Sequence, residues 1–307
     1  MGVRIGTANG LVEPPHGVTV PGPVRVFGDA AIGADGRILW HSDDEWTELA
    51  SGAALICAVD APGGLLVGAE SAHLFRVGPT GDLVAVPGFE RCPGREEWYT
   101  PWGGPPDVRS VACTLDNVLL ANVHVGGIPR SLDGGRTWEP TIDIHADVHQ
   151  VRASLEREDL VVAAAAVGCC VSHDAGATWS VRDDGLHATY CRAIAVSGDM
   201  ILISASEGPR GRQSAIYRGS VEGDGPFVRV TEWIDGNIDT HALDLRGDHG
   251  VFGTRDGTVW ESWDGGVTWE QTQEDLPSIT SVSLTEPVGG SAVRDPAVNR
   301  GLGRADG

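Results

Sequence analysis

The sequence is poor in positive charge: 22 Lys and Arg stand against 43 Asp and Glu in 307 residues, a formal net charge of −21 at pH 7. Nucleic acids and anionic membranes are held by clustered cations that replace counterions, so neither is expected as a partner. No run of about 18 apolar residues is present, the length that spans a bilayer. The first residues, Met1-Gly-Val-Arg-Ile-Gly-Thr7, lack the apolar stretch of a secretory leader. Sustained helical spacing of apolar residues is also missing, which argues against a helical bundle. The six cysteines (Cys57, Cys92, Cys113, Cys169, Cys170 and Cys191) mostly sit in apolar strand-like runs, unlike those of a small disulfide scaffold. They are expected to be reduced core residues, with adjacent Cys169 and Cys170 on opposite faces of one strand. A cytoplasmic location is the expectation.

What the chain does have is 43 glycines and 18 prolines between short aliphatic runs, the texture of many strands and turns. One stretch repeats three times. Ser131-Leu-Asp-Gly-Gly-Arg-Thr-Trp138 returns as Ser172-His-Asp-Ala-Gly-Ala-Thr-Trp179 and as Ser262-Trp-Asp-Gly-Gly-Val-Thr-Trp269, all of the form S-x-D-x-G-x-T-W. The Asp can accept backbone N–H groups of a turn, the Gly supplies positive φ, Thr favours the departing strand, and Trp anchors it. From Ser131 to Ser172 is 41 residues and from Ser172 to Ser262 is 90, two periods of about 45, which suits propeller blades. A degenerate unit fills the gap at Ser214-Ala-Ile-Tyr-Arg-Gly-Ser220, its box replaced by Val221-Glu-Gly-Asp-Gly-Pro226.

This motif resembles the Asp-box, or BNR repeat, of β-propellers such as sialidases, sortilin-type receptors and photosystem II assembly factors. The resemblance implies the fold and an outer position for the box. It implies little about activity, because these families do unrelated things. A sialidase-like enzyme would offer Tyr190 as its nucleophile, yet the chain has no Phe/Tyr-Arg-Ile-Pro motif, and Ile128-Pro129-Arg130 has another order.

The expected architecture is therefore all-β: one propeller of four-stranded antiparallel blades over residues 1–285, with 286–307 a disordered tail. Seven blades are expected, with six as the alternative. Four units starting near Asp107, Val148, Tyr190 and Thr240 are well marked, and Ala54–Ala69 with His73–Arg76 makes a fifth. Gly36–Trp40 and Ser42–Trp46 resemble a shortened box. Val3–Thr7 and Gly10–Val12 read as middle strands lacking an inner strand, which Ser278–Ser283 would supply, closing the ring without a free sheet edge. Residues 88–106 form an insertion rich in Pro and aromatics, a loop of the kind that often carries function.

Inner strands of a propeller open around the mouth of the central channel. Aligning them puts Arg109, His149, Arg192 and His241 at one position, and Asp107, Asp147, Tyr190 and Asp239 two residues earlier, facing the same way. Neighbouring loops add His124, Arg255, His187, Trp98 and Trp102. Three readings follow. In the first, the groups only pair with one another, His with Asp and Arg with Asp, lining a wet channel. As a pocket, Arg109, Arg192, Arg255, Asp107, Trp98 and Trp102 would bind a small polar or anionic, sugar-like molecule, with His149, His241, Asp147, Asp239 and Tyr190 doing acid–base or nucleophilic work. As a metal site, His124, His149, His187 and His241 would hold a divalent ion. An enzyme of this kind would be hydrolase-like, glycosidase-like or metal-dependent. The alternative from another class is a non-catalytic scaffold that docks a protein partner through Trp98, Tyr99 and Trp102.

Overall fold

The structure, a computed structural model, describes residues 2–285 apart from 15, 16, 43 and 53. The tail expected from 286 to 307 lies outside the described residues. The described chain forms seven four-stranded antiparallel sheets set as the blades of a β-propeller. Seven, not six, is thus the blade number. Blade 1 comprises Gly2–Thr7, Gly10–Glu13 and Gly17–Pro21, completed on the inside by Ile279–Thr285 from the far end of the chain. That last strand pairs from Gly2↔Thr285 to Thr7↔Ile279, so the ring is closed by hydrogen bonds between its two ends.

Blade 2 (Val24–Phe27, Ala30–Gly33, Arg37–Ser42, Glu45–Ser51) and blade 3 (Leu55–Val59, Leu66–Ala69, Leu74–Val77, Leu83–Ala85) follow. The inner pair of blade 2 has no box and only four residues per strand, and its sequence does not announce it. Blade 4 (Val108–Cys113, Leu119–Val123, Pro129–Ser131, Glu139–Pro140) and blade 5 (Val148–Ala153, Val161–Ala165, Gly168–Ser172, Ser180–Arg182) carry the first two boxes. Blade 6 (Tyr190–Ser197, Met200–Ser206, Ala215–Ser220, Val228–Arg229) lacks one. Blade 7 (Leu243–Arg246, His249–Gly253, Val259–Ser262, Glu270–Gln273) carries the third.

Alternation explains the apolar runs. In blade 5, Cys169 and Val171 enter the layer against blade 6, while Cys170 enters the layer against blade 4. Both faces of a middle strand are thus buried, so Leu160-Val-Val-Ala-Ala-Ala165 has no polar phase. Blades approach closely where the second strand has no side chain. A Cβ on Gly68 would lie 2.5 Å from Val108 of blade 4, and one on Gly253 would lie 2.3 Å from Ile279 of blade 1. Side chains of one inner strand also hold the backbone of the next. Val151 donates its N–H to Ser110 Oγ (2.9 Å), Ile194 to Gln150 Oε1 (2.9 Å), Leu284 to Asp244 Oδ2 (2.9 Å) and Val26 to Ser281 Oγ (2.8 Å).

The repeated hairpin works as its residues suggest. In blade 5 Ser172 Oγ accepts the Gly176 N–H at 2.8 Å and donates to Asp174 Oδ1 at 2.8 Å. Asp174 in turn accepts the Thr178 N–H and hydroxyl at 2.8 and 2.6 Å, and Gly176 takes φ +82°. The pairing Cys113↔Leu119↔Ser131 shows that the hairpins lie at the blade end opposite the start of the inner strands.

The insertion 88–106 sends Phe89, Cys92 and Trp98 into the core, while most of its other residues stay exposed. Two short 3₁₀ turns, Phe89–Arg91 and Arg95–Glu97, drive Phe89 between Trp98 and Trp138, with ring centroids 5.6 and 5.2 Å away. Arg95 lies over the Trp98 ring at 4.9 Å. Trp98 is 8% exposed.

Replacing Ser172 by Ala leaves the buried Gly176 N–H without its acceptor. Urea unfolding should show a loss of about 1–3 kcal/mol with an unchanged m-value; an unchanged midpoint would mean that the hydroxyl does not hold the hairpin.

Candidate functional site

The inner strands of blades 4, 5 and 6 are interrupted at equivalent places. Val108 pairs Val123 and Ser110 pairs Asn122, leaving Arg109 out of the ladder; Val148 pairs Ala165 and Gln150 pairs Ala164, leaving out His149. In blade 6 the break falls between Cys191 and Ile194, around Arg192. Such bulges re-aim a side chain. Here they gather three chemically useful ones at the mouth of the axis, where Arg109 lies within electrostatic reach of Arg192, Asp147, Tyr190 and Asp107. The aligned sequence positions of Arg109, His149 and Arg192 are brought together in space.

His149 is 1% exposed, and its Nδ1–H donates to the Cys191 carbonyl at 2.7 Å. Burial pushes its pKa down to about 4, so near neutrality the ring is uncharged and Nε2 carries a bare lone pair. That nitrogen lies 3.7 Å from Asp147 Oδ2, while His124 Nε2 lies 3.3 Å from Asp147 Oδ1. Burial raises the Asp147 carboxyl, but His124, His149 and Arg109 outweigh it and hold the group below its ordinary value, hence ionised. Asp147 sits at φ +49°, a strained setting that turns its carboxylate between the two imidazoles.

Tyr190 packs on His149 with ring centroids 4.7 Å apart, and burial raises its hydroxyl pKa. Asp239 Oδ1 receives Arg255 Nη2 at 3.1 Å and Arg192 Nη2 at 3.5 Å, and Asp107 Oδ1 accepts the Ser71 N–H at 3.1 Å. Trp102, 71% exposed, lies over the His124 ring at 4.8 Å. Four buried polar atoms here have no hydrogen-bond partner among the described residues: His124 Nδ1, Asp147 Oδ1, His149 Nε2 and Arg192 Nε.

His241 corrects the alignment. Thr240 and His241 stand in a turn before the blade 7 inner strand, which starts at Leu243, and His241 has φ +72°. From there its ring crosses the axis. Gln150 Oε1 is occupied by the Ile194 N–H, so Gln150 Nε2 donates to His241 Nδ1 at 3.2 Å; His241 Nε2–H then donates to the Arg109 carbonyl at 3.1 Å. Phe27 of blade 2 meets the ring edge-on at 5.0 Å. With both nitrogens used and burial pushing its pKa down to about 3, His241 is a floor beneath the mouth, placed for neither proton transfer nor metal ligation. Gln150 and Phe27 were not foreseen as site residues; Gln150 sits next to His149 on the strand and was legible only as a neighbour.

Two further assignments are corrected. Trp98 is buried in the core cluster that holds Phe89 and Trp138. His187 lies outward in blade 6, with Nδ1 2.7 Å from the Tyr217 hydroxyl and its ring 4.9 Å from that of Trp233. The four-histidine set is thereby dispersed, and among the described residues no group of three or more His, Cys, Asp or Glu is placed to hold a metal ion. A cleft of about 570 Å³ opens at the opposite end of blades 5 to 7, where Ser197 is taken up by Glu156 and Arg218 by the Gly265 carbonyl.

No protein-family model matches this chain, and no curated protein is similar to it in sequence. Solved structures do match. A computationally designed protein, Ika8, has 16% identity and a TM-score of 0.61, covering 93% of this chain and 88% of that one. An ancestral GH74 enzyme has 14% identity and a TM-score of 0.62, covering 89% of this chain but only 40% of the enzyme. The WD40 β-propeller domain of Doa1 has 16% identity and a TM-score of 0.58, covering 82% and 81%. At these identities the likeness is one of fold: this chain is a β-propeller.

His149 and His241 are both buried uncharged, so the unfolded chain binds protons that the folded one refuses. Their contribution is complete above the ordinary histidine value near 6.5 and is lost as pH falls towards about 4 and about 3 respectively. Unfolding free energies from urea titration should drop between pH 7 and 5, above the carboxylate range, by up to about 1.4 kcal/mol per pH unit for each group. His241→Leu should lower stability throughout, because it strips Arg109 and Gln150 of a partner, and should flatten that slope. Parallel slopes for the two proteins would refute the assignment.

Proposed function

We propose that the mouth of the channel binds a small polar molecule bearing an anionic group. The observation that carries this is the approach of two guanidinium groups, Arg109 and Arg192, in a half-buried setting where burial and then Arg192 lower the Arg109 pKa. Arg109 makes no side-chain hydrogen bond or ion pair with the described residues, and the nearest carboxylate shared by Arg192, Asp239, is also engaged by Arg255. Like charges held together out of water are stabilised by an anion placed between them. The sequence contains no lysine, so every fixed side-chain cation is a planar guanidinium suited to bidentate contact with a carboxylate or phosphate.

Trp102 would cover the bound molecule, and Asp147 with His149 would handle a proton if the molecule is hydrolysed. The fold shared with GH74 enzymes agrees with a sugar-like ligand, although the same fold serves a WD40 domain, so the site carries the argument. In this reading the three S-x-D-x-G-x-T-W hairpins are Asp-box repeats, remote from the ligand. The six free cysteines support a reducing, cytoplasmic setting. A protein-docking role for the same face is the second reading, favoured by the exposure of Trp102 and Tyr99.

Thermal shift with phosphate and a panel of small carboxylates tests the proposal. Binding at one hundred times Kd should stabilise the protein by about 2.7 kcal/mol. Arg109→Gln should fold, as judged by circular dichroism, and lose most of that gain; a variant that responds to anions as the parent does would sink the reading.

A further inference from the structure

The lone pairs at the mouth specify more than an anion. With Nδ1–H committed to the Cys191 carbonyl, His149 turns an acceptor towards the site, and 3.7 Å away stands Asp147 Oδ2, a second acceptor. Neither can satisfy the other: a lone pair facing a carboxylate oxygen is repulsive unless hydrogen-bond donors enter between or beside them. His149 is almost wholly buried, and its Nε2 has no partner among the described residues. The arginines ask for the opposite. Arg192 Nε is a buried donor without a partner, and the Arg109 guanidinium, though within electrostatic reach of Asp147 and Asp107, forms no hydrogen bond or ion pair among the described residues.

The mouth therefore presents two unlike halves side by side, a donor half formed by Arg109 and Arg192 and an acceptor half formed by Asp147 and His149. His149, held by the Cys191 carbonyl and 3.7 Å from Asp147, lies within electrostatic reach of both Arg109 and Arg192. Building on the proposed anion site, we infer that its ligand is an amino carboxylate, with the carboxylate against Arg109 and Arg192 and a neighbouring ammonium donating to Asp147 and His149 Nε2. Donor arithmetic selects the ammonium. Two acceptors call for two protons; an ammonium has three, whereas one hydroxyl has a single proton to give.

Charge arithmetic agrees. Arg109, Arg192 and Arg255 balance Asp107, Asp147 and Asp239 at the mouth, the histidine being neutral. A zwitterion enters without changing that balance, while a plain carboxylate leaves one negative charge in excess in a half-buried place. Trp102, lying over His124, is then left to meet the remainder of the ligand.

The test is calorimetric titration of the full chain with four matched probes: L-alanine, L-lactate, propionate and L-alaninamide, which keep or drop the ammonium and the carboxylate one at a time. Alanine is expected to bind at least tenfold more tightly than each of the others. Long-range ¹H–¹⁵N spectra of the histidine rings should show the His149 Nε2 resonance moving upfield on saturation with alanine and staying put with propionate. His149→Phe, if folded by its amide spectrum, should lose most of alanine's advantage; the wild-type spectra decide the matter if it is not.

Propionate binding as well as alanine would overturn the inference and leave the anion site intact. Tighter binding of lactate would overturn it in favour of a hydroxyl donor. Binding of none of the carboxylates would overturn both this inference and the anion site on which it rests.

Discussion

Seven inner strands each have a ladder partner on one side only, and the edge left over faces the axis. Backbone N–H groups on that edge must find acceptors, since burying them unpaired costs about as much as losing a hydrogen bond. The chain solves this between blades, with Ser110, Gln150, Asp244 and Ser281 each accepting an N–H from the next inner strand. These links set the spacing of the blades around the axis. The glycines at Gly68 and Gly253 let the strands come near enough to make them.

The site follows from this constraint. Arg109 and His149 leave their ladders next to Ser110 and Gln150, which make two of these ties, and Arg192 lies in the bulge that ends at Ile194, the residue Gln150 holds. Gln150 shows the coupling most directly. Its carbonyl oxygen holds blade 6, and its amide nitrogen holds His241, which in turn caps the carbonyl of Arg109. The floor of the mouth and the bracing of the ring are thus one hydrogen-bonded chain across the axis, and the chemistry above it stands on the same residues that keep the blades in place.

Much of this architecture is written locally. Three boxes with their Ser, Asp, Gly, Thr and Trp dictate hairpins that need no tertiary context, and their spacing sets the blade period. The inner pair of blade 2 escaped because Val24–Phe27 and Ala30–Gly33 are short and have no box to mark them. Within the site, strand alignment located Arg109, His149 and Arg192, because equivalent positions in equivalent blades must face one axis. It misplaced His241, whose positive φ no strand pattern reveals, and His187, which a Tyr217 hydroxyl draws outward. Trp98 misled for another reason. An aromatic in a proline-rich loop looks exposed until Phe89 is seen packed between it and Trp138, which ties the loop to a distant part of the chain.

The shared sheet of blade 1 carries a consequence for how the molecule comes into being. Residues 2–7 are made well before the strand they pair with, which spans 279–285. Blades 2 to 7 are each contiguous and can be assembled as they emerge, whereas blade 1 must wait with its inner edge bare until residues 279–285 have been made. Its formation is the longest-range pairing in the described chain and hence an entropically slow event. Until then the nascent protein is an open arc whose terminal edge is a template for other strands. The time order of translation, and not only the final energy of the ring, is thereby built into the choice of which blade the two ends share.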